Sequence, residues 1–368
     1  MKILHIINSL AIGGAEKMLT EIVPEMQQYD NYTVDVLLLN DRNSPLKKYL
    51  EKENINIIVL NYNNNYNPMN LFSIVKYMKQ YDIIHSHIFP ANYWTSLAKL
   101  FLRDKVIITT EHNTHNKRRN HKIFRPIEKF IYSRYNKIIA ISNMTKVNLL
   151  NWLELSKNNT KFIVIDNAID LTKFDKAKPY DKNVFFENIS FILTMVGSFT
   201  PQKDQETIIR ALTLLPKNVK LLLVGDGKKR ESILNLIKST GVQDRVKLLG
   251  TREDVPSIMK TSDIIIVSSN WEGFGLVAVE GMAANKPVIA SDVDGLKEVV
   301  EGFGLLFIKG DEKDLANKID KLMCDSEYYT KVSEKCYEHS KNFSIEKLVK
   351  HYTKVYMDAL EDHNKDTI

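Results

Sequence analysis

Two carboxylates eight residues apart, Glu272 and Glu280, frame the run Glu272-Gly273-Phe274-Gly275-Leu276-Val277-Ala278-Val279-Glu280. A helix opening near Gly275 leaves Glu272 in the preceding loop and Glu280 inside the helix. The N–H groups of Phe274, Gly275 and Leu276 then suit a phosphate or sugar hydroxyls, with Glu272 accepting from hydroxyl donors. A lone Glu280 also reads as a helix-surface charge, but Val277, Ala278, Val279 and Met282 around it are apolar. Lys203, in Val196-Gly197-Ser198-Phe199-Thr200-Pro201-Gln202-Lys203, can neutralise a departing diphosphate as a point charge. The competing reading is a solvated lysine. Gly13-Gly14-Ala15-Glu16 lets backbone approach a phosphate at a helix start, or is a plain tight turn. It lacks the GxGxxG spacing of a dinucleotide site. Two more glycine turns, Val224-Gly225-Asp226-Gly227 and Gly250-Thr251-Arg252, complete the set.

Histidines crowd the first third of the chain. His85 and His87 follow the run Ile83-Ile84, and His112 and His115 follow Val106–Thr110. His85-x-His87 has the spacing of a metal pair, but only Glu111 stands near as a carboxylate, so sugar contacts or a structural hydrogen bond are the better reading. Just beyond lies a basic stretch with Lys117, Arg118, Arg119, His121, Lys122 and Arg125, followed by an amphipathic run. It suits an anionic membrane surface carrying a lipid-diphosphate acceptor. The alternative is a solvated loop leading into a core-packed helix.

What must position these residues is a repeated strand-then-helix pattern. Short apolar runs, from Ile3–Ile7 and Thr33–Leu39 to Pro287–Ala290 and Gly304–Phe307, alternate with segments of helical period such as Ala15–Gln28 and Gln205–Leu214. This is the signature of βαβ units on parallel sheets whose strands are buried on both faces. The rhythm pauses over 166–190, which reads as a linker. The expected organisation is therefore an α/β chain of two domains, 1–178 and 179–344, with a last helix at 345–362 packing back on the first. Open α/β sheets bind ligands at the C-terminal edges of their strands, where all the motifs above fall.

A chain of 368 residues is long enough for two cores. Its 51 basic and 45 acidic residues leave +6, a mild bias that does not call for nucleic acid. Cys324 and Cys336 make no disulfide framework and no metal spacing. No run reaches the ~18 apolar residues of a membrane helix, so a cytoplasmic protein, at most peripheral on the inner face of the plasma membrane, is expected.

Taken in order, these motifs resemble the retaining, nucleotide-sugar-dependent glycosyltransferases of family four, also called glycosyl transferases group 1. The resemblance covers essentially the whole chain, and Glu272-x7-Glu280 is its most specific element. It implies the GT-B fold, two Rossmann-like parallel-sheet domains facing across a cleft. It also implies transfer of a hexose or N-acetylhexosamine from a nucleotide-diphosphate sugar, a UDP-sugar first, with no metal or other cofactor. The acceptor would be lipid-linked or an oligosaccharide. The Gly13-Gly14 start and the Lys203 loop look most like members that build bacterial surface polysaccharides.

By the same resemblance, Gly14 would face the donor phosphate and Lys203 would hold the diphosphate. Phe274, Gly275 and Leu276 would offer N–H groups, Glu272 would accept from sugar hydroxyls, Glu280 would bind the ribose and His112 would touch the donor sugar. The loops at Ser198, Gly225 and Arg252 would border the nucleotide. Two departures stand out: Ser198 replaces an arginine common in the family, and Asn167-Ala168-Ile169-Asp170 replaces an Asn-Gly-Ile-Asp pattern. A nucleotide-sugar epimerase and an inactive nucleotide-sugar-binding partner subunit are the alternatives.

Overall fold

The computed structural model describes residues 1–29, 31–60, 62, 64–114, 116–187 and 191–367, with the side chains of 117, 366 and 367 outside that description. The chain forms two compact units, Met1–Ala168 with Ile345–Ile368, and Ile169–Ser344.

The first unit is built on strands β1 (Lys2–Ile7), β2 (Thr33–Leu38), β3 (Ile57–Val59), β4 (Ile83–His87), β5 (Val106–Glu111), β6 (Lys137–Ala140) and β7 (Phe162–Val164). They pair in parallel in the order β3-β2-β1-β4-β5-β6-β7. The second carries β8 (Phe191–Val196), β9 (Val219–Val224), β10 (Val246–Gly250), β11 (Ile264–Val267), β12 (Val288–Ser291) and β13 (Leu305–Phe307), in the order β10-β9-β8-β11-β12-β13. Unbroken apolar runs such as Ile264–Val267 are buried on both faces, as the sequence required. In each sheet the winding direction reverses once, between β1 and β4 in the first and between β8 and β11 in the second. Such switch points open a crevice at the carboxyl ends of the strands.

The 166–190 segment is not a bare linker. It holds a helix at Leu171–Lys176, capped by the Asp170 side chain, and a 3-10 turn at Lys182–Val184. Phe174, Phe185 and Phe186 are buried, and the last two pack against Ile192, Leu222 and Ile258. Ile169 also bridges to Ser344. These contacts draw the division back to 168/169 rather than 178/179. The last helix, Ile345–Thr367, belongs to the first unit, where it packs on the helix Gly14–Gln27 and on β5.

Candidate active site

The second unit gathers its post-strand loops at the switch point. The Lys203 stem lies across Gly197: a Cβ there would meet Lys203 Cγ at 3.3 Å. Its Nζ pairs with Glu272, which follows β11 and is buried apart from a small fraction of its surface. Glu272 also accepts from Ser269 Oγ at 3.0 Å and Gln202 Nε2 at 3.3 Å. A residue in the loop beyond β8 and one beyond β11 are thus joined by a charge-assisted bond. Sequence reasoning placed both in the site but missed their pairing and the two flanking donors. An isolated bridge between Lys203 and Ser269 sets the spacing.

Beside this pair, the loops after β8, β9 and β10 are knitted through backbone. Gly197 N–H donates to Val224 O at 2.9 Å, Gly225 N–H to Gly250 O at 2.8 Å, and Phe199 N–H to Asp226 O at 2.9 Å. Gly225 has φ +133°, and a Cβ there would sit 2.2 Å from Gly197 O. Only glycine fits that conformation and that approach. Gly225→Ala is expected to destabilise this unit by at least about 2 kcal/mol, read as a lowered melting midpoint; an unchanged midpoint would refute the packing argument.

The helix Leu276–Ala283 opens at Gly275, whose φ of +92° turns the chain so that the first N–H groups emerge together. Phe274, Gly275 and Leu276 donate no backbone hydrogen bond to another described residue. The Phe274 side chain is buried edge-on to Phe343, which leaves its backbone as the presenting group. Gly273 lies in the same turn, against Gly295. Glu280 is buried, not a surface charge of its helix. Ser198 is exposed and lies 3.4 Å from the Thr200 hydroxyl. Arg252 forks onto Asp254 at 2.7 and 2.6 Å, and Tyr180 donates to the same carboxylate at 2.5 Å, so that guanidinium is engaged within its own loop.

In the first unit Gly13 caps the helix Gly14–Gln27 with extended backbone, and the Glu16 carboxyl folds back over it. Burial raises the Glu16 carboxyl above the usual range. A Cβ on Gly14 would meet nothing, so open space adjoins that backbone.

His85 and His87 lie within β4 and face the core, not a surface an acceptor could reach. His85 and His87 are buried, and parallel pairing of β1 with β4 sets His5 opposite His85. His5, His85 and His87 bring ligand nitrogens within 4.8 Å of one another. Every ring nitrogen of the three except His5 Nε2 is already hydrogen-bonded. His85 bonds Tyr356 OH at 2.6 Å and Thr110 Oγ1 at 2.7 Å. His87 bonds His5 Nδ1 at 3.0 Å and His112 Nε2 at 3.1 Å. Glu111 is held by Arg119 at 2.8 Å and Tyr132 at 2.5 Å, so it does not complete a metal site. Burial lowers the imidazoles of His5 to about 3 and His112 to about 4, and holds those of His85 and His87 well below the usual value. All four are neutral near pH 7. His115 lies outside the described residues.

The basic stretch is largely neutralised by carboxylates that flank it. Arg118 pairs with the fully buried Glu128 at 3.3 Å and stacks 3.7 Å over Phe89. Arg119 pairs with Glu111 and, at 3.5 Å, with Glu128. Arg125 pairs with Glu154 and lies over Trp152. Lys122 is exposed, and the Lys117 side chain lies outside the described residues. What stands outward instead is apolar: Ile123, in the 3-10 turn Lys122–Phe124, is 76% exposed, and Ile127 (49%) and Phe130 (45%) share one face of the helix Arg125–Ser133 that follows. This ridge was not foreseen, because apolar residues in an amphipathic run read as core.

Two Rossmann-like units, with a lysine–glutamate pair and an open helix N-terminus at the switch point of the second, define the architecture of a GT-B glycosyltransferase. The profile of the family "Glycosyl transferases group 1" matches residues 178–339, and that of "Glycosyltransferase Family 4" matches residues 12–173. An uncharacterised glycosyltransferase of Methanocaldococcus jannaschii is 35% identical over 280 residues, 75% of each chain. The UDP-Gal:alpha-D-GlcNAc-diphosphoundecaprenol alpha-1,3-galactosyltransferase of Escherichia coli is 26% identical over 98% of this chain and 97% of its own. Among solved structures, Anabaena HepE in complex with UDP and glucose superposes with TM-score 0.85 at 23% identity, covering 97% of this chain and 100% of its own. The chain belongs to the group 1, family-four glycosyltransferases.

Proposed function

We propose that this glycosyltransferase moves a hexose or N-acetylhexosamine from a nucleotide-diphosphate sugar, a UDP-sugar first, to a lipid-linked or saccharide acceptor in bacterial cell-surface polysaccharide synthesis. The observation that carries the reading is the Lys203–Glu272 pair beside the open N–H groups of Phe274, Gly275 and Leu276, at the switch point of one sheet. Those N–H groups and the Lys203 ammonium suit a diphosphate, and Glu272 and Glu280 suit sugar and ribose hydroxyls. The names of the E. coli relative and the Anabaena complex, both with UDP or a UDP-sugar, support the donor class.

In the proposed reaction the acceptor hydroxyl oxygen bonds the anomeric carbon as the carbon–phosphate oxygen bond breaks. The departing phosphate takes the hydroxyl proton on the same face, so the anomeric configuration is retained. Lys203 and the helix N–H groups neutralise the charge that grows on the diphosphate, and no metal is called upon. The one Asp-x-Asp, Asp292-Val293-Asp294, is exposed, with Asp292 paired to Lys297 at 3.5 Å. The reading is tested by a thermal-shift screen of UDP-, GDP- and dTDP-sugars, followed by anomeric analysis of the product by NMR. A donor present at 100 times its Kd should raise stability by about 2.7 kcal/mol. No shift with any nucleotide sugar, or an inverted product, would overturn it.

No helix among the described residues is long and apolar enough to cross a membrane. We propose a cytoplasmic enzyme resting on the inner membrane face through Ile123, Ile127 and Phe130, with the exposed Lys122 beside them. The E. coli relative's undecaprenol-linked substrate supports this choice. Sedimentation with vesicles of phosphatidylglycerol and phosphatidylethanolamine should capture the native chain and lose the Ile127→Glu variant. Equal capture of both would sink this contact.

A further inference from the structure

His5, His87 and His112 form one continuous hydrogen-bonded file across β1, β4 and the end of β5. His5 Nδ1 lies 3.0 Å from His87 Nε2, and His87 Nδ1 lies 3.1 Å from His112 Nε2. The rings of His5 and His87 stack at 17°, and His85 lies 4.4 Å from His87, pinned on its own two sides by Thr110 and Tyr356. The file is therefore held rigidly by side chains of three adjacent strands and the last helix. It leads from the core, where His5 is fully buried, to His112, which is half-buried at the carboxyl edge of the sheet.

A neutral imidazole has one N–H and one lone pair. Burial keeps these rings neutral, so each link needs one donor and one acceptor, and the protons must all point the same way along the file. Only two arrangements satisfy both links. In one, His112 Nε2–H donates to His87 and His87 donates to His5; the file then ends on a buried N–H at His5 Nε2. That nitrogen has no hydrogen-bond partner among the described residues. In the other, His5 donates to His87 and His87 donates to His112; the same nitrogen then carries only an unused lone pair. A buried N–H left without an acceptor is the rarer and costlier end.

We propose that His5 and His87 are positioning residues that hold His112 in the Nδ1–H tautomer. The file starts at the unpartnered His5 Nε2 and fills the His112 Nε2 lone pair. His112 then presents a donor, not an acceptor, at the sheet edge: a fixed N–H for a sugar or phosphate oxygen. This consequence for chemistry rests on the reading above that His112 touches the donor sugar; the tautomer itself does not.

The two can be tested apart. The full chain, labelled with 15N at histidine and held near pH 8, is examined by long-range proton–nitrogen NMR of the imidazole rings, with His112→Ala used to assign the His112 signals. Wild-type His112 should carry its proton on Nδ1. In His87→Gln the amide nitrogen reaches the place of Nε2, toward His5, and nothing donates to His112. Its ring should then shift to the Nε2–H form that free imidazole favours. In His87→Asn the amide nitrogen falls where Nδ1 was, and the Nδ1–H form of His112 should return. An Nε2–H proton on wild-type His112, or one unchanging tautomer across the three proteins, overturns the proposal. The wild-type spectrum decides even where a variant fails to fold. Turnover is read separately. His87→Gln should lose about tenfold or more in kcat, with donor KM little changed and His87→Asn partly restored. A tautomer that moves as expected without any change in kcat leaves the file in place and removes His112 from the sugar.

Discussion

Replacing Lys203 with alanine is expected to lower sugar transfer at least ~100-fold, the usual loss when one preorganised donor to developing charge is removed. The structure explains why no neighbour should compensate. The position two residues after β8 is Ser198, an exposed hydroxyl, and the guanidinium of Arg252 is spent on Asp254. The Lys203 stem is laid over Gly197 and its ammonium is drawn to Glu272, so the cation is already oriented before any donor arrives. Orientation in advance is what makes such a charge effective, since no reorganisation is needed as the bond breaks. Lys203→Arg should recover only part of the rate, because a planar fork does not replace a compact ammonium beside a glycine backbone. The measurement is kcat/KM with the donor found by thermal shift, each variant's melting midpoint serving as the control for folding. A Lys203→Ala enzyme within tenfold of the native rate would refute the assignment.

That the sequence could show Lys203, Glu272 and Gly275 as candidate site residues has a physical cause. Parallel strands buried on both faces are unbroken apolar runs, so their ends are visible, and a charged or glycine-rich turn just past such an end stands at the sheet's binding edge. All the β runs read from the sequence are strands in the fold, with ends that differ by a residue or two. What escaped depends on pairing between segments far apart in the chain. His5 stands in the middle of the apolar run Ile3–Ile7, and only the β1–β4 register makes it the neighbour of His85. Arg118, Arg119 and Arg125 looked like a free basic patch, because the carboxylates that neutralise them, Glu111, Glu128 and Glu154, stand before and after the stretch rather than in it. The 166–190 segment lacked periodicity, yet Phe174, Phe185 and Phe186 bury themselves singly rather than along a face. Gln202 and Ser269 carry no signal of their own and matter only through the carboxylate of Glu272.

Acid is expected to destabilise the first unit as pH falls below about 6.5. His5, His85 and His87 are fully buried, and burial holds each imidazole below its ordinary value of 6.5, to about 3 for His5. In the unfolded chain each would titrate near 6.5. Below that pH the unfolded chain binds more protons than the folded one, so stability falls as pH falls and is complete only above about 6.5. Each such histidine contributes a slope approaching about 1.4 kcal/mol per pH unit. For the three together, moving from about pH 7.5 to about pH 5.5 should remove on the order of 4 kcal/mol. In a unit of this size that lowers a melting midpoint by roughly 10 °C. The neighbours offer no relief: Tyr352, Tyr356 and Thr110 face the rings with hydroxyls, no carboxylate among the described residues bonds any of the three, and His112 shares the same lowered range. Calorimetry across this pH range provides the measurement, with His5→Gln as the comparison, expected to lose about a quarter of the slope that His5, His85, His87 and His112 supply together. A midpoint that stays level from pH 7.5 to 5.5, or a His5→Gln profile parallel to the native one, would show that these rings do not stay neutral in the fold.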